Sequence, residues 1–437
     1  MYCLERHPVP ISFPFHRVAA AAALSLAFGL PSWAGGPPLT LAEALETAVS
    51  RSQQIAAQDA VITSAREQAV SAAQLPDPVL KLGVDNLPLN GQDRFSLTND
   101  FMTMRRIGVM QEIPRAQKRQ LRAERFERDA QRAQAERHMA LAAVQRSTAT
   151  AWLDLYYTQA MQALLQRQLE ETGLQVQAAV TAFASGRGSQ ADAFAARAAL
   201  ILLEDRLSQI ERQARGASIV LTRWVGAAAE RMPWGPPPWQ STPLESAQSV
   251  EHLQLHPDIR ALAAQIDVAK TDARLAQANQ QADWTVEASY SQRGSAYSNM
   301  LSFGVSVPLQ VDRKNRQDRE VAAKLALVQE AQARFDDMLR GQDAEVRSLL
   351  NDWRNGKERV ARFNGQLIPT AQQRTQAALT SYRSGTGDLA AALSARRDEI
   401  DVRMQALALE QDTARLWAQL HYLIPDSTPT TNRPEQP

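Results

Sequence analysis

The chain is written twice, and that duplication limits what it can fold into more than any other feature. Two halves lie about 200 residues apart, with the same features in the same order. A helical pattern over 41–73 returns over 257–282. Each is followed by a pair of strand patterns, about 79–86 with 106–113 in the first half and about 284–292 with 301–311 in the second. The second strand of each pair ends alike, at Ile113-Pro114 and Val307-Pro308, and leads into a long charged helix. Those helices reach matching turns, Phe183-Ala-Ser-Gly186-Arg-Gly188 and Tyr382-Arg-Ser-Gly385-Thr-Gly387, after which a second helix returns. The plan is helix-strand-strand-helix-helix, repeated, and it predicts a mainly α protein with a small β part.

The helices set the scale. Residues 115–182 contain no proline, and as one helix they would measure roughly 100 Å. Apolar positions step by three and four along Leu141, Val144, Thr148, Ala151 and Leu155. The same step runs along Val321, Leu325, Val328, Phe335, Leu339, Val346 and Leu349, and along Leu200, Leu203, Leu207, Ile210, Ala214, Leu221 and Trp224. A sustained seven-residue repeat predicts helices wound on one another instead of around a globular centre. On this pattern alone a soluble coiled-coil spacer fits as well.

The strands narrow the choice. Leu301, Phe303, Val305, Val307 and Leu309 alternate with Ser302, Gly304 and Ser306. Val286, Ala288 and Tyr290 alternate with Glu287 and Ser289, and Leu80, Leu82 and Val84 with Lys81, Gly83 and Asp85; Ile107, Val109 and Ile113 follow less cleanly. Strands of about ten residues, apolar on one face and polar on the other, suit a membrane barrel with a wet lumen. An ordinary amphipathic sheet would alternate in the same way. Four strands cannot close a barrel, since the smallest need about eight, and open edges are not tolerated in lipid. Membrane-spanning strands would therefore require several chains.

Residues 1–34 read as a secretory signal, with His16 and Arg17 before a short apolar run and Pro31-Ser32-Trp33-Ala34 at its end. Cys3, the only cysteine, falls inside it, so a mature chain would have no disulfide and no thiolate metal site. Residues 35–231 form the first repeat, 232–256 a Pro-rich connector, 257–425 the second repeat and 426–437 a polar tail expected to be disordered. Lys+Arg 48 against Asp+Glu 47 gives a net charge of +1, which argues against nucleic acid as a partner. After the signal there is no apolar run long enough for a transmembrane helix.

Chemistry is sparse. His252 and His256 are four apart, but Pro257 follows at once and no third ligand is evident, so no metal site is expected. Met102-Thr-Met104 has soft thioethers and reads more simply as a hydrophobic lip at a strand end. No nucleophile motif or phosphate-cradling loop is present, and no enzyme activity or cofactor is expected.

The segments Leu39-Thr-Leu-Ala-Glu-Ala-Leu45, Leu75-Pro-Asp-Pro78 and Gly108-Val-Met-Gln-Glu-Ile-Pro114 with Lys118-Arg119, together with the two glycine turns, resemble the TolC family of outer-membrane factors. The resemblance covers nearly the whole mature chain. The Pro-Asp-Pro step and the Gln-Glu-Ile-Pro…Lys-Arg segment look most like the heavy-metal efflux branch typified by CzcC and CusC. It implies a homotrimer, with a 12-stranded barrel in the outer membrane built from four strands per chain and a helical tunnel in the periplasm. It also implies an RND-type tripartite system with a periplasmic adaptor and an inner-membrane pump. Gly186, Gly188, Gly385 and Gly387 would then mark the tips that meet the adaptor.

In some members an acidic residue six positions after the first tip glycine holds the tip closed, with a Tyr and an Arg of the other hairpin. Asp192 and Tyr382 match, but Gly387 stands where that Arg would be. Arg187, Arg383 and Arg396 are alternative positive partners. Asp192 and Asp388 are also candidates for a cation filter, or simply helix-start residues. Three readings stand at this point: a channel for heavy-metal cations or other small molecules, a periplasmic adaptor, and a coiled-coil scaffold.

Overall fold

A computed structural model describes residues 37–186, 188–245 and 253–425. The signal segment with Cys3, Arg187, His252 and the polar tail fall outside the described residues.

Leu41–Arg51 (α1) and Gln53–Ala73 (α2) divide the first helical pattern in two. The break is Ser52, whose extended backbone leaves the helix while its side chain accepts from the Ile55 N–H and starts the next one. Val79–Asp85 (β1) and Met104–Ile113 (β2) follow. Ala116–Ala184 (α3) is an unbroken helix of 69 residues, and Gln190–Val225 (α4) returns along it. The second repeat opens with Pro257–Ala278 (α5), Trp284–Gln292 (β3) and Met300–Ser306 (β4). β4 is shorter than its alternation predicts because Pro308 has no N–H to continue the ladder. Gln317–Arg362 (α6) and Ile368–Arg383 (α7) together match α3, but a π turn at Phe363–Leu367 separates them. Pro369 sits just after that turn, where it can neither donate to nor tolerate the carbonyl four residues earlier, and the backbone widens. Leu389–His421 (α8) completes the second hairpin.

Among the described residues no helix is long and apolar enough to cross a membrane. The four strands form one antiparallel sheet in the order β1-β2-β3-β4, so the two repeats meet at the β2–β3 ladder.

The largest buried cluster joins both repeats around Trp152, Tyr157, Trp353 and Trp417. Each of those tryptophans donates its indole N–H to a backbone carbonyl: Trp152 to Leu39 at 3.0 Å, Trp353 to Trp239 at 3.0 Å and Trp417 to Ser241 at 2.9 Å. The segment around Leu39 and the one after Met232 are themselves joined, by Leu39 N–H to Met232 O and Trp234 N–H to Leu39 O. The proline-rich stretch is thus strapped across the helices by buried tryptophans. Of the periodic positions, Val144, Thr148, Ala151 and Leu155 are fully buried in α3. Leu325 of α6 is instead exposed, and in that stretch Ala331 takes the buried position, packed with Val328 and Phe335.

Candidate functional site

Two regions carry what this chain can do: the sheet and the two glycine turns.

In the sheet, register places Leu82, Ile107, Tyr290 and Leu301 in one row across all four strands. Leu80, Val109, Ala288 and Phe303 make the next row, and Val286 pairs with Val305. Most of these side chains are open, Leu82 at 71% and Phe303 at 78%. The less regular pattern of β2 is explained by Arg105 and Gln111, which share its apolar face near the two ends. The opposite face is polar, and its two cations are paired with carboxylates. Lys81 contacts Glu287 at 2.6 Å across β2, and Arg106 contacts Asp85 at 3.2 Å. A face this apolar and this exposed would be costly in water, and the edge strands β1 and β4 carry unpaired backbone groups. The arrangement fits a section of a barrel wall whose outside meets lipid. Met102 lies exposed beside Phe101 just before β2, whereas Thr103 is fully buried with its hydroxyl donating to Asn86 O.

Where strands become helices, the Gln-Glu-Ile-Pro…Lys-Arg segment holds the first repeat's own α2–β1 junction and, through Lys118, the second repeat. Gln111 donates to Pro76 O at 2.7 Å and Arg119 to Ala73 O at 3.2 Å. Lys118 is buried at 4% exposure, yet its ammonium reaches Asp283 of the other repeat at 2.9 Å. Burial pushes the Asp283 carboxyl up, but Lys118 and the Arg115 N–H outweigh it and hold that group below the usual carboxylate range.

At the far end of the hairpins the paired glycines serve two different needs. Gly186 (φ 71°) and Gly385 (φ 76°) occupy the left-handed region that ends a helix without strain only for glycine. Gly188 and Gly387 are required by space: a Cβ on Gly188 would stand 3.1 Å from the Ala182 Cβ, and one on Gly387 2.8 Å from the Ser381 Cβ. Their N–H groups close the turns onto Ala182 O and Ser381 O. Asp192 lies in a capping box: its carboxylate accepts from the Ser189 N–H, and its own N–H donates to the Ser189 hydroxyl, both at 3.1 Å. Asp388 caps α8 by accepting from the Ala390 N–H at 3.2 Å. Tyr382 is half-buried, packed with Ala179, Ala196, Leu389 and Leu393 where the two hairpins touch. The structure therefore brings the tips together but places no hydrogen bond between Asp192 and Tyr382. Arg383 is exposed.

Arg396 does join the hairpins, contacting Glu171 of α3 and, at 3.3 Å, Glu399 of its own helix. Glu399 is buried at 3% exposure and also takes Arg403 at 2.8 Å. Arg206–Asp401 at 2.5 Å and Arg374–Asp398 at 2.9 Å tie α4 and α7 to the same stretch of α8. Sequence reasoning singled out Arg396 but not Glu399, which has no motif around it. His256 is buried at the start of α5, where Nδ1 accepts from the Asp258 N–H at 3.2 Å. Among the described residues no group of His, Cys, Asp and Glu is placed to hold a metal ion.

An apolar-faced open sheet set between two long helical hairpins is an arrangement that known proteins share. The model of the outer membrane efflux protein family matches residues 249–424, essentially the second repeat. No curated protein matches the sequence. Among solved structures, the outer membrane protein VceC from Vibrio cholerae is 19% identical with a TM-score of 0.71, over 88% of this chain and 95% of that one. The Campylobacter jejuni CmeC outer membrane channel is 12% identical with a TM-score of 0.72, over 94% of each chain. CusC, described as undergoing transmembrane channel formation, is 13% identical with a TM-score of 0.69, over 87% of this chain and 91% of that one. The fold is that of these outer-membrane channels.

Proposed function

We propose that this chain is an outer-membrane efflux channel, working as the passive exit duct of an RND-type tripartite system. Three copies would close a 12-stranded barrel and continue it as a helical tunnel in the periplasm. The observation that carries this reading is the sheet: both edges unpaired, one face exposed and largely apolar, the other polar with its Lys and Arg paired to carboxylates. Lipid on one side, water on the other and further copies at the edges answer all three properties. A coiled-coil scaffold or an adaptor would leave that face unexplained.

The tips at Gly186, Gly188, Gly385 and Gly387 are the surface offered to a periplasmic adaptor, and an inner-membrane pump supplies the energy. Asp192, Tyr382 and Asp388 lie at the narrow end, where a shift of the hairpins would open or close the duct. Heavy-metal cations are the cargo indicated by the Pro-Asp-Pro step and the Gln-Glu-Ile-Pro…Lys-Arg segment. The test is fractionation of cells followed by electrophoresis without and with heating. A heat-sensitive trimer band in the outer-membrane fraction is expected, and a soluble monomer would overturn the channel. Cargo is read separately, from the metal sensitivity of a strain lacking the chain; a strain sensitive to drugs but not to metals would refute the metal assignment alone.

A further inference from the structure

The end of the sheet where strands give way to helices has a composition of its own. Trp284 and Ile113 are cross-strand partners there, on the apolar face, both open. The chain leaving β4 at the same end keeps Leu309 and Val311 exposed, Val311 at 92%. It is pinned at that level, with Gln310 donating to Asn279 O and Asp318 accepting from Gln280, just before β3 begins.

Directly after this apolar stretch come Arg313, Lys314, Arg316 and Arg319, with Asp312, Asp318 and Glu320 among them. Asp318 holds Arg313 at 3.1 Å, Asp312 accepts from Asn315, and Glu320 is exposed and pairs with none of the four cations. Lys314, Arg316 and Arg319 are exposed and have no carboxylate partner among the described residues. An aromatic side chain at the edge of an apolar band, with free cations immediately beyond it, is the arrangement that suits a membrane interface: ring at headgroup depth, ammonium and guanidinium on phosphates.

We propose that Lys314, Arg316 and Arg319, below Trp284 and Val311, form a binding surface for anionic phospholipid headgroups at the periplasmic side of the bilayer. This rests on the membrane reading of the sheet. Continuity with the apolar face sets the depth, and Lys314, Arg316 and Arg319, exposed and outside any ion pair, favour a negative headgroup over a zwitterionic one.

The experiment uses the full chain reconstituted in phosphatidylcholine vesicles containing lipids with brominated acyl chains, which quench nearby tryptophan emission. Quenching by brominated phosphatidylcholine that is lost in Trp284→Phe is expected; its absence from the parent would refute the membrane placement of the strand end, and this proposal with it. With that placement secured, brominated phosphatidylglycerol is expected to compete at least about fivefold better than brominated phosphatidylcholine at low salt. The preference should shrink as salt is raised and should be lost in Lys314→Gln/Arg316→Gln/Arg319→Gln. Equal quenching by the two lipids, or a preference unchanged in the triple variant, would overturn the headgroup site. Glycerol phosphate is the soluble control: it should leave the preference intact, and abolition of the preference would show a site for free phosphates instead of lipid.

Discussion

At the scale of single residues, the two glycines of each tip turn do different jobs, and substitution should separate them. Gly186 and Gly385 need a positive φ, which costs an L-residue about 1–2 kcal/mol. Gly188 and Gly387 need room, and a Cβ on Gly387 meets Ser381 more closely than one on Gly188 meets Ala182. Replacing Gly387 by Ala should therefore disturb its turn more than Gly188→Ala disturbs the other. The check is efflux by cells carrying each variant, with the trimer band as control for assembly. A trimer formed normally with efflux lost supports the tip role, and unchanged efflux in both variants refutes it.

His256 offers a second residue-level test. Burial, only partly offset by Asp258, holds its imidazole below the ordinary histidine value of 6.5. The fold thus favours the neutral form, and the unfolded chain takes up a proton first. Its contribution to stability is fully present above pH 6.5 and is lost as pH falls from there towards the folded-state value. The unfolding temperature of the protein should fall between about pH 7 and 5.5. In His256→Asn, which can still accept from the Asp258 N–H, the fall should be shallower; identical slopes would show that other groups control it.

At the scale of elements, the strands are the part with the sharpest consequence. Phe303 and Val305 face outward from β4 with nothing from their own chain over them. Asp at either position would put a carboxylate against hydrocarbon, at a cost of about 2 kcal/mol or more each near mid-membrane. Phe303→Asp/Val305→Asp should leave the chain in the periplasm, unassembled, and normal recovery in the outer membrane would show that this face does not meet lipid.

The alternation that supports this prediction was readable in the sequence, because a period of two is a local property. So were the long proline-free helix and the glycine turns. What was not readable depends on contacts between distant segments or on the finer balance of the backbone. Ser52 splits a helix whose apolar pattern runs through it, since one side-chain cap competes with one helical hydrogen bond. Pro369 interrupts the second hairpin where its periodicity is continuous. Leu325 stays open because α5 presents Thr271, Arg274 and Gln277 beside it, whereas Ala331 meets the apolar Ile266 and Ala269. At the tip, sequence named Asp192 and Tyr382 but had no means to see that Asp192 is held by its own turn. Nor could it see Glu399, whose role exists only when Arg396 and Arg403 fold towards it.

At the scale of the whole molecule, the duplication becomes a testable equivalence. Trp152 in α3 donates to Leu39 O, and Trp353 in α6 donates to Trp239 O, at the same distance and a nearly identical sequence separation. Each repeat thus crosses its own long helix with an incoming strap and pins it by one indole. Both tryptophans are essentially without solvent contact and belong to one cluster, so neither carbonyl would find water if its donor were removed. Phe at either position keeps most of the aromatic bulk while deleting the N–H, but the two carbonyls are left differently. Leu39 O keeps the Trp234 N–H, so Trp152→Phe should cost about 0.5–1.5 kcal/mol for one lost hydrogen bond, whereas Trp239 O loses its indole donor and Trp353→Phe should cost about 1–3 kcal/mol. Trp353→Phe should therefore lower the temperature at which the trimer band dissociates more than Trp152→Phe does. Because the residues share a packed cluster, the double variant should differ measurably from the sum of the two. Equal effects, or a larger one from Trp152→Phe, would mean that the Trp234 N–H does not compensate and that the Leu39 segment, which also binds Met232, bears the greater load.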